Sequence, residues 1–318
     1  MRAGDPRVKV TLISTVKDCA RSAGPFLASL AAQTRAPDEV VIVDGGSSDG
    51  TAEAYERGEG VSVLVEPGAN IARGRNVALA AATHDVIAAT DADCELDPGW
   101  VEAIVAPIEA GADVSMGWYE PVLETAFERW MAAVNLPLDP AEVDPARFDP
   151  SARSVAFRRD AIVVVGGYPE WLAIGEDMWV DQRWRKAGMD MRFAPEAIVR
   201  WRLRPGLAET WSQYFGYARG DARAGMHPER HALRFGVYAG LVGALASSRA
   251  WPRVLAGAGA IAHARTPVRR GWARARSPRE RALATVAVPA LMAFTDAAKM
   301  AGYAAGLADR MRSGSPGA

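Results

Sequence analysis

Two short acidic pairs carry most of the chemistry this chain can offer. Asp91-Ala92-Asp93 follows the apolar run Val86–Ala89, and Glu176-Asp177 opens the segment that ends at Gly188. Carboxylates at i and i+2, where a buried strand runs out into a loop, gather hard oxygen donors at one point. That suits Mg2+ or Mn2+, with phosphate oxygens completing the shell. The same pair is also ordinary for a solvated loop, so what precedes and follows it must decide. An acidic pair at a helix start has two readings as well: it compensates the helix dipole, or it places a proton acceptor at a loop–helix junction.

The elements that must position these pairs alternate. Residues 8–14 are β-rich and end at small polar residues, which predicts a first strand. Residues 21–34 carry Phe26, Leu27 and Leu30 at helical spacing. Glu39–Asp44 is a second buried strand, and the turn-rich run from Gly45 to Thr51 leads into a helix over 52–57. Val61–Val65 reads as a third strand, 70–82 as a helix and 85–89 as a fourth strand; Pro98 marks the start of another helix. Strand and helix joined by short connections mean an α/β fold with a doubly wound, mostly parallel sheet flanked by helices. Ligands bind such sheets at the carboxyl ends of the strands. Segments 14–18, 44–49 and 91–93 all fall there. Further on, 113–117 reads as a strand and 125–135 as a helix. The Pro- and Asp-rich stretch 136–150 has the length of a lid or an acceptor-binding loop. Glu176 and Asp177 then open a helix with Val180 and Trp184 along it and Gly188 as its C-cap.

Length leaves room for one large α/β domain and an appendage. Cys19 and Cys94 have no metal-ligand spacing, and residues 1–7 lack the apolar run of a secretory leader, so reduced thiols in a cytosolic protein are expected. A net charge of −1 hides an asymmetry: residues 1–199 hold 18 Lys and Arg against 32 Asp and Glu, residues 200–318 hold 19 against 6. A basic, apolar second part suits an anionic membrane surface, with a solvated basic face as the plain alternative. Residues 211–221 are amphipathic, with Trp211, Tyr214, Phe215 and Ala218 at helical spacing. The apolar runs 235–247 and 254–262 are short, and 282–307 contains Pro289, Asp296 and Lys299. None meets the requirement of about 20 mostly apolar residues for a spanning helix. The expectation is peripheral or re-entrant attachment, with the arginines from Arg265 to Arg281 facing anionic lipid.

Taken in order, these motifs resemble the family 2 glycosyltransferases, nucleotide-diphospho-sugar transferases of the GT-A fold. The matching residues are Val10 to Asp18, Val41-Ile42-Val43-Asp44 with Gly45 to Thr51, and Asn70 to Asn76. They continue through Asp91-Ala92-Asp93 with Leu96 to Trp100, then Gly175-Glu176-Asp177 with Arg183 and Gly188. The resemblance spans roughly residues 8–225 and implies a catalytic domain over 1–225, with a basic helical, membrane-associated extension over 226–318. It implies that Thr15 and Asp18 hold the nucleotide base and that Asp44 accepts a base N–H. Arg75 would face base and phosphates, Asp91 the ribose and metal, and Asp93 would coordinate Mg2+ or Mn2+. Asp177 would be the general base with Glu176 orienting the acceptor, and Arg183 and Trp179 would lie on the acceptor side or support the helix. The implied partners are a UDP-, GDP- or dTDP-linked sugar and a glycan or lipid-linked acceptor, not nucleic acid. The implied place is the cytoplasmic face of the cell membrane.

An inverting transfer fits these residue types, since it needs one carboxylate to take the acceptor proton and positive charge on the leaving diphosphate. Three departures stand out. The turn after the second strand is Asp44-Gly45-Gly46-Ser47, without a second carboxylate; Lys17 stands where the family often has Asn; and Trp201 stands near the place of a common His. Gln182-Arg183-Trp184 lacks the spacing of processive synthases, so single addition is expected. A nucleotidyltransferase of related topology and a non-catalytic scaffold of an envelope-synthesis complex remain the alternatives.

Overall fold

The computed structural model describes residues 7–313; the N-terminal residues read for a leader, Arg7 excepted, lie outside the described residues. The chain forms two compact units. The first runs to Val122 and resumes over Val143–Arg202; the second takes Leu123–Glu142 and the chain from Leu203 onward. The boundary expected at 225 falls at the C-cap of a helix of the second unit.

In the first unit, β1 (Val10–Val16), α1 (Ala20–Ala31), β2 (Glu39–Asp44), α2 (Thr51–Tyr55), β3 (Val61–Val65), α3 (Ile71–Ala81) and β4 (Val86–Ala89) alternate as the sequence predicts. After β5 (Glu95–Leu96), α4 (Trp100–Glu109) and β6 (Val114–Val122) the chain leaves for the second unit through α5 (Ala126–Asn135). It returns with β7 (Val155–Arg158), α6 (Arg159–Val164), α7 (Glu176–Ala187) and β8 (Met191–Arg202). Residues of β1, β2 and β4 are almost wholly buried, which explains their continuous apolar runs.

Eight strands form one sheet in the order β3-β2-β1-β4-β7-β6-β8-β5. The β3-β2-β1-β4 half is parallel, as expected. The other half is mixed: β7 runs antiparallel to both β4 and β6, and β5 antiparallel to β8. A strand that returns beside its predecessor without a crossover helix on the sheet enters antiparallel, and β7 does so. Register decides where the strand ends meet. Val16 lies opposite Asp44 and Ile13 opposite Ala89, so the loops after β1, β2 and β4 open at one edge. The Ser14 hydroxyl donates to the Thr90 carbonyl at 2.7 Å and fixes the exit of β4.

The second unit is helical: α5, then α8 (Leu207–Ala224), α9 (Pro228–Ala246), α10 (Ala250–Arg274) and α11 (Pro278–Ser313). Thr125 and Glu128 form a reciprocal capping box on α5. Arg129 grips Glu280 through two nitrogens at 2.5 and 3.1 Å, joining α5 to α11. Where the sequence reading sees interruptions, α11 runs unbroken through Pro289, Asp296 and Lys299. The polar residues find partners inside the unit: Asp296 accepts from Arg234 at 2.8 Å and from the Tyr238 hydroxyl at 3.2 Å, and the Lys299 ammonium sits over the Tyr214 ring. Contrary to the reading that no segment qualifies, Pro278–Arg312 has the length and composition to cross a membrane, a test that core helices of soluble proteins also pass.

Close approach of α11 to α8 depends on missing side chains. A Cβ on Gly302 would stand 2.1 Å from the Phe215 carbonyl oxygen, and one on Gly306 2.4 Å from that of Arg219. Backbone cannot yield as a side-chain tip does. Gly302→Ala should therefore destabilise the protein by roughly 1–3 kcal/mol in urea unfolding. In contrast, Gly257→Ala on α10, where a Cβ meets open space, should stabilise by up to about 1 kcal/mol.

Candidate active site

Loops after β1 and β2 form one clasped surface. Buried Asp44 accepts the Ser47 N–H and hydroxyl through one oxygen, both at 2.8 Å, closing the Gly45–Gly46 turn from within. Asp18, at φ 49°, donates its own N–H to the Ser47 hydroxyl at 2.8 Å and accepts the Ser48 N–H at 3.0 Å. Thr15 is half-buried at the end of β1. The three residues implied for base binding thus border the same edge, and Asp18 and Asp44 also have structural tasks there.

The Asp91-Ala92-Asp93 turn follows β4. The hydroxyl of fully buried Tyr55 donates to the Ala92 carbonyl at 2.7 Å, fixing the residue between the two carboxylates. Asp91 is held from two sides: one oxygen accepts from Arg75 at 3.1 Å, and the other faces the Arg153 Nε at 3.5 Å. Asp93 is exposed, with the Cys94 thiol donating toward it at 3.8 Å. Among the described residues no group of three or more His, Cys, Asp or Glu is arranged to hold a metal ion. Asp93, with Asp91 two residues before it, could hold a cation only together with other oxygens such as those of a phosphate, a manner in which Mg2+ commonly binds.

Arg75 joins this turn to the second acidic pair. Its side chain is 5% exposed, forms an ion pair with Glu176 as well as Asp91, and lies 5.3 Å from the centre of the Tyr168 ring. Burial alone would lower the guanidinium; Glu176 and then Asp91 outweigh it and keep Arg75 above its ordinary value. Arg75, which the resemblance has facing base and phosphates, is a buried link between Asp91 and Glu176.

Glu176 and Asp177 occupy the first turn of α7 behind Gly175, whose φ of 90° is a conformation other residues resist. Asp177 is only half-buried; its oxygens accept the Met178 N–H at 2.8 Å and the Ala152 N–H at 3.4 Å. A partly open carboxylate at a helix N-terminus, beside an anchored acidic turn, can take up a proton from a bound hydroxyl. One turn on, Asp181 is buried with one oxygen unpartnered, and burial, then Asp177 and Asp149, push it well above the carboxylate range. Arg183 stacks on Trp179 at 3.7 Å, and Trp179 meets Trp171 edge-on. Trp184 is core, as expected. Arg185 binds Asp149 and the Ala146 carbonyl, securing the end of the Pro-rich loop to α7.

Sequence reasoning missed Tyr55, Arg153 and Asp181. None stands in a short motif. Antiparallel β4–β7 pairing places Ala89 opposite Val155, so continuing the ladder two residues sets Arg153 against Asp91, a juxtaposition that no local spacing signals.

Burial, against the pull of Arg75 and with the push of Asp177, raises the Glu176 carboxyl from 4.5 to about 7. The folded state then holds this proton more tightly than the unfolded chain. The stability it contributes is complete below pH 4.5 and is lost as pH rises through about 7. In urea unfolding, wild type should lose up to roughly 3 kcal/mol relative to Glu176→Gln between about pH 4.5 and 8. Parallel profiles would show that Glu176 titrates as an ordinary carboxylate.

Residues 11–165 match a family model described as Glycosyl transferase family 2. Glycosyltransferase AglE of Haloferax volcanii is 28% identical over 233 residues, covering 68% of this chain and 74% of its own. O-antigen chain rhamnosyltransferase RfbN of Salmonella typhimurium is 23% identical over 233 residues, covering 65% and 71%. Among solved structures, mannosyltransferase PcManGT from Pyrobaculum calidifontis, in complex with GDP-Man and Mn2+, matches with a TM-score of 0.55 and 18% identity. That match covers 97% of this chain and 88% of the other, a likeness of fold. With the match over residues 11–165, glycosyltransferase relatives and this likeness of fold, the chain belongs to the family 2 glycosyltransferases, as an enzyme with the GT-A fold.

Proposed function

We propose that the protein is an inverting, metal-dependent glycosyltransferase that moves a sugar from a UDP-, GDP- or dTDP-linked donor to a lipid-linked or cell-envelope glycan acceptor. The observation that carries this reading is the Arg75 bridge, which brings the Asp91 turn and the Glu176–Asp177 helix start to one place. Thr15, Asp18 and Asp44 border the nucleotide end. Asp177 takes the acceptor proton as its oxygen attacks the anomeric carbon; one base suffices because no covalent intermediate is needed. Asp93, with Asp91 two residues before it, would hold Mg2+ or Mn2+ together with the donor phosphates, and the ion would supply Lewis-acid stabilisation of the departing diphosphate. Glu176, locked to Arg75, keeps the Asp177 turn in place, while Arg183 and Trp179 form a stacked wall on the acceptor side. The names of relatives that build O-antigen and succinoglycan favour an envelope or polysaccharide acceptor.

With a donor screen in Mn2+, transfer should release nucleoside diphosphate; release of pyrophosphate would point to the nucleotidyltransferase reading instead. Asp177→Asn should lower turnover by roughly 10²–10⁴-fold while nucleotide binding stays near wild type, measured by product formation and calorimetry. Normal turnover in that variant would remove the base assignment.

The second unit supports a place on the inner, cytoplasmic face of the membrane. Leu233, Val237 and Val242 on α9 and Trp251, Val254 and Ile261 on α10 are exposed. Between Glu229 and Glu280 the sequence holds ten arginines and no carboxylate. Exposed apolar side chains on helices rich in arginine suit the interface of an anionic bilayer, although Arg234 and Arg270 are themselves paired, with Asp296 and Glu142. The full chain should co-sediment with vesicles containing phosphatidylglycerol and not with purely phosphatidylcholine vesicles, and high salt should weaken the binding. Trp251→Glu with Ile261→Glu should abolish it; equal binding to neutral vesicles would remove the electrostatic part of the reading.

A further inference from the structure

We infer that Arg153 binds the donor's diphosphate and is what lets this site tell a nucleoside diphosphate from a monophosphate. The inference rests on the glycosyltransferase reading above and adds a cationic residue to it. Two guanidinium groups flank Asp91, and they differ in what they can reach. Arg75 is 5% exposed and engaged by two carboxylates, so a ligand cannot draw it away without leaving Glu176 uncompensated. Arg153 is 21% exposed, and its Nε stands 3.5 Å from Asp91, an ion pair longer than a hydrogen bond. Its guanidinium lies 5.1 Å from the centre of the Trp201 ring, and one terminal nitrogen donates to the Ser151 hydroxyl at 3.1 Å.

Trp201 supplies a platform that orients the cation without consuming its N–H donors. Tyr119 meets that indole edge-on, ring centres 5.4 Å apart, and holds the platform. The ladder between β4 and β7 sets Arg153 against the Asp91 turn, so its position is built into the sheet. A planar guanidinium presents paired donors at the spacing of phosphate oxygens. Asp91 and Asp93 on the turn after β4, with Asp177 at the head of α7, add negative charge to the site in which the glycosyltransferase reading places the diphosphate. With Arg75 committed below, Arg153 is the side chain placed to offset the charge that builds on the leaving diphosphate beside Asp93. Upon donor binding the Arg153 contact passes from Asp91 to phosphate oxygen.

Calorimetric titration of the purified full chain with UDP, GDP and dTDP, and with UMP, GMP and dTMP, in Mn2+ and again in EDTA, tests this. Wild type should prefer the diphosphate of whichever base it takes. Arg153→Ala should lose about tenfold or more of diphosphate affinity with monophosphate affinity nearly unchanged. Arg153→Lys should recover part of the preference, and Trp201→Leu, which keeps the charge without its platform, should fall between. Should Arg153→Ala fail to fold, Arg153→Lys and Arg153→Gln carry the same comparison. An unaltered diphosphate-to-monophosphate ratio in the folded variants overturns the inference alone. No binding of any nucleotide by wild type overturns the glycosyltransferase reading and this inference with it.

Discussion

A guanidinium removed from water must find opposite charge, and Arg75 finds it in two places that the chain reaches far apart. Asp91 comes from the end of β4, Glu176 from the start of α7, and Arg75 itself from α3. Removing one carboxylate leaves a buried charge short of compensation, a cost of several kcal/mol in comparable pairs. The arrangement therefore behaves as a joint: α3, the strand end and the acidic helix start hold each other in register. Everything proposed about the active site depends on that joint, because exposed Asp93 and half-buried Asp177 are sequence neighbours of the residues it locks.

Around the joint the acidic groups differ in burial and in what they hold. Asp44 and Asp18 spend oxygens on the turn that joins the first two loops, and Asp91 spends both on arginines. Asp181 is buried one turn further along α7, and burial raises its carboxyl well above the ordinary value. The more accessible carboxylates are Asp93, on the Asp91–Asp93 turn, and half-buried Asp177 at the head of α7. The helical unit follows different physics. Glycine at 302 and 306 lets α8 and α11 approach to backbone contact, and the charged residues of α11 are absorbed by Arg234, Tyr238 and Tyr214.

Read alone, the sequence determined the parts governed by local period and turn chemistry. Continuous apolar runs marked β2 and β3 to the residue, Asn70 and Thr125 marked two helix starts, and Gly188 marked the end of α7. The order of acidic motifs was enough to point to the family. Tertiary structure decided what depends on register between distant segments. Antiparallel entry of β7 brought Arg153 to Asp91; the ion pair between α3 and the head of α7 made Arg75 a buried bridge to Glu176; and a close-packed helical unit carried α11 through residues that look like interruptions. Periodicity is a property of a few neighbouring residues, whereas the partner of a buried charge is chosen by the strand order of the whole sheet.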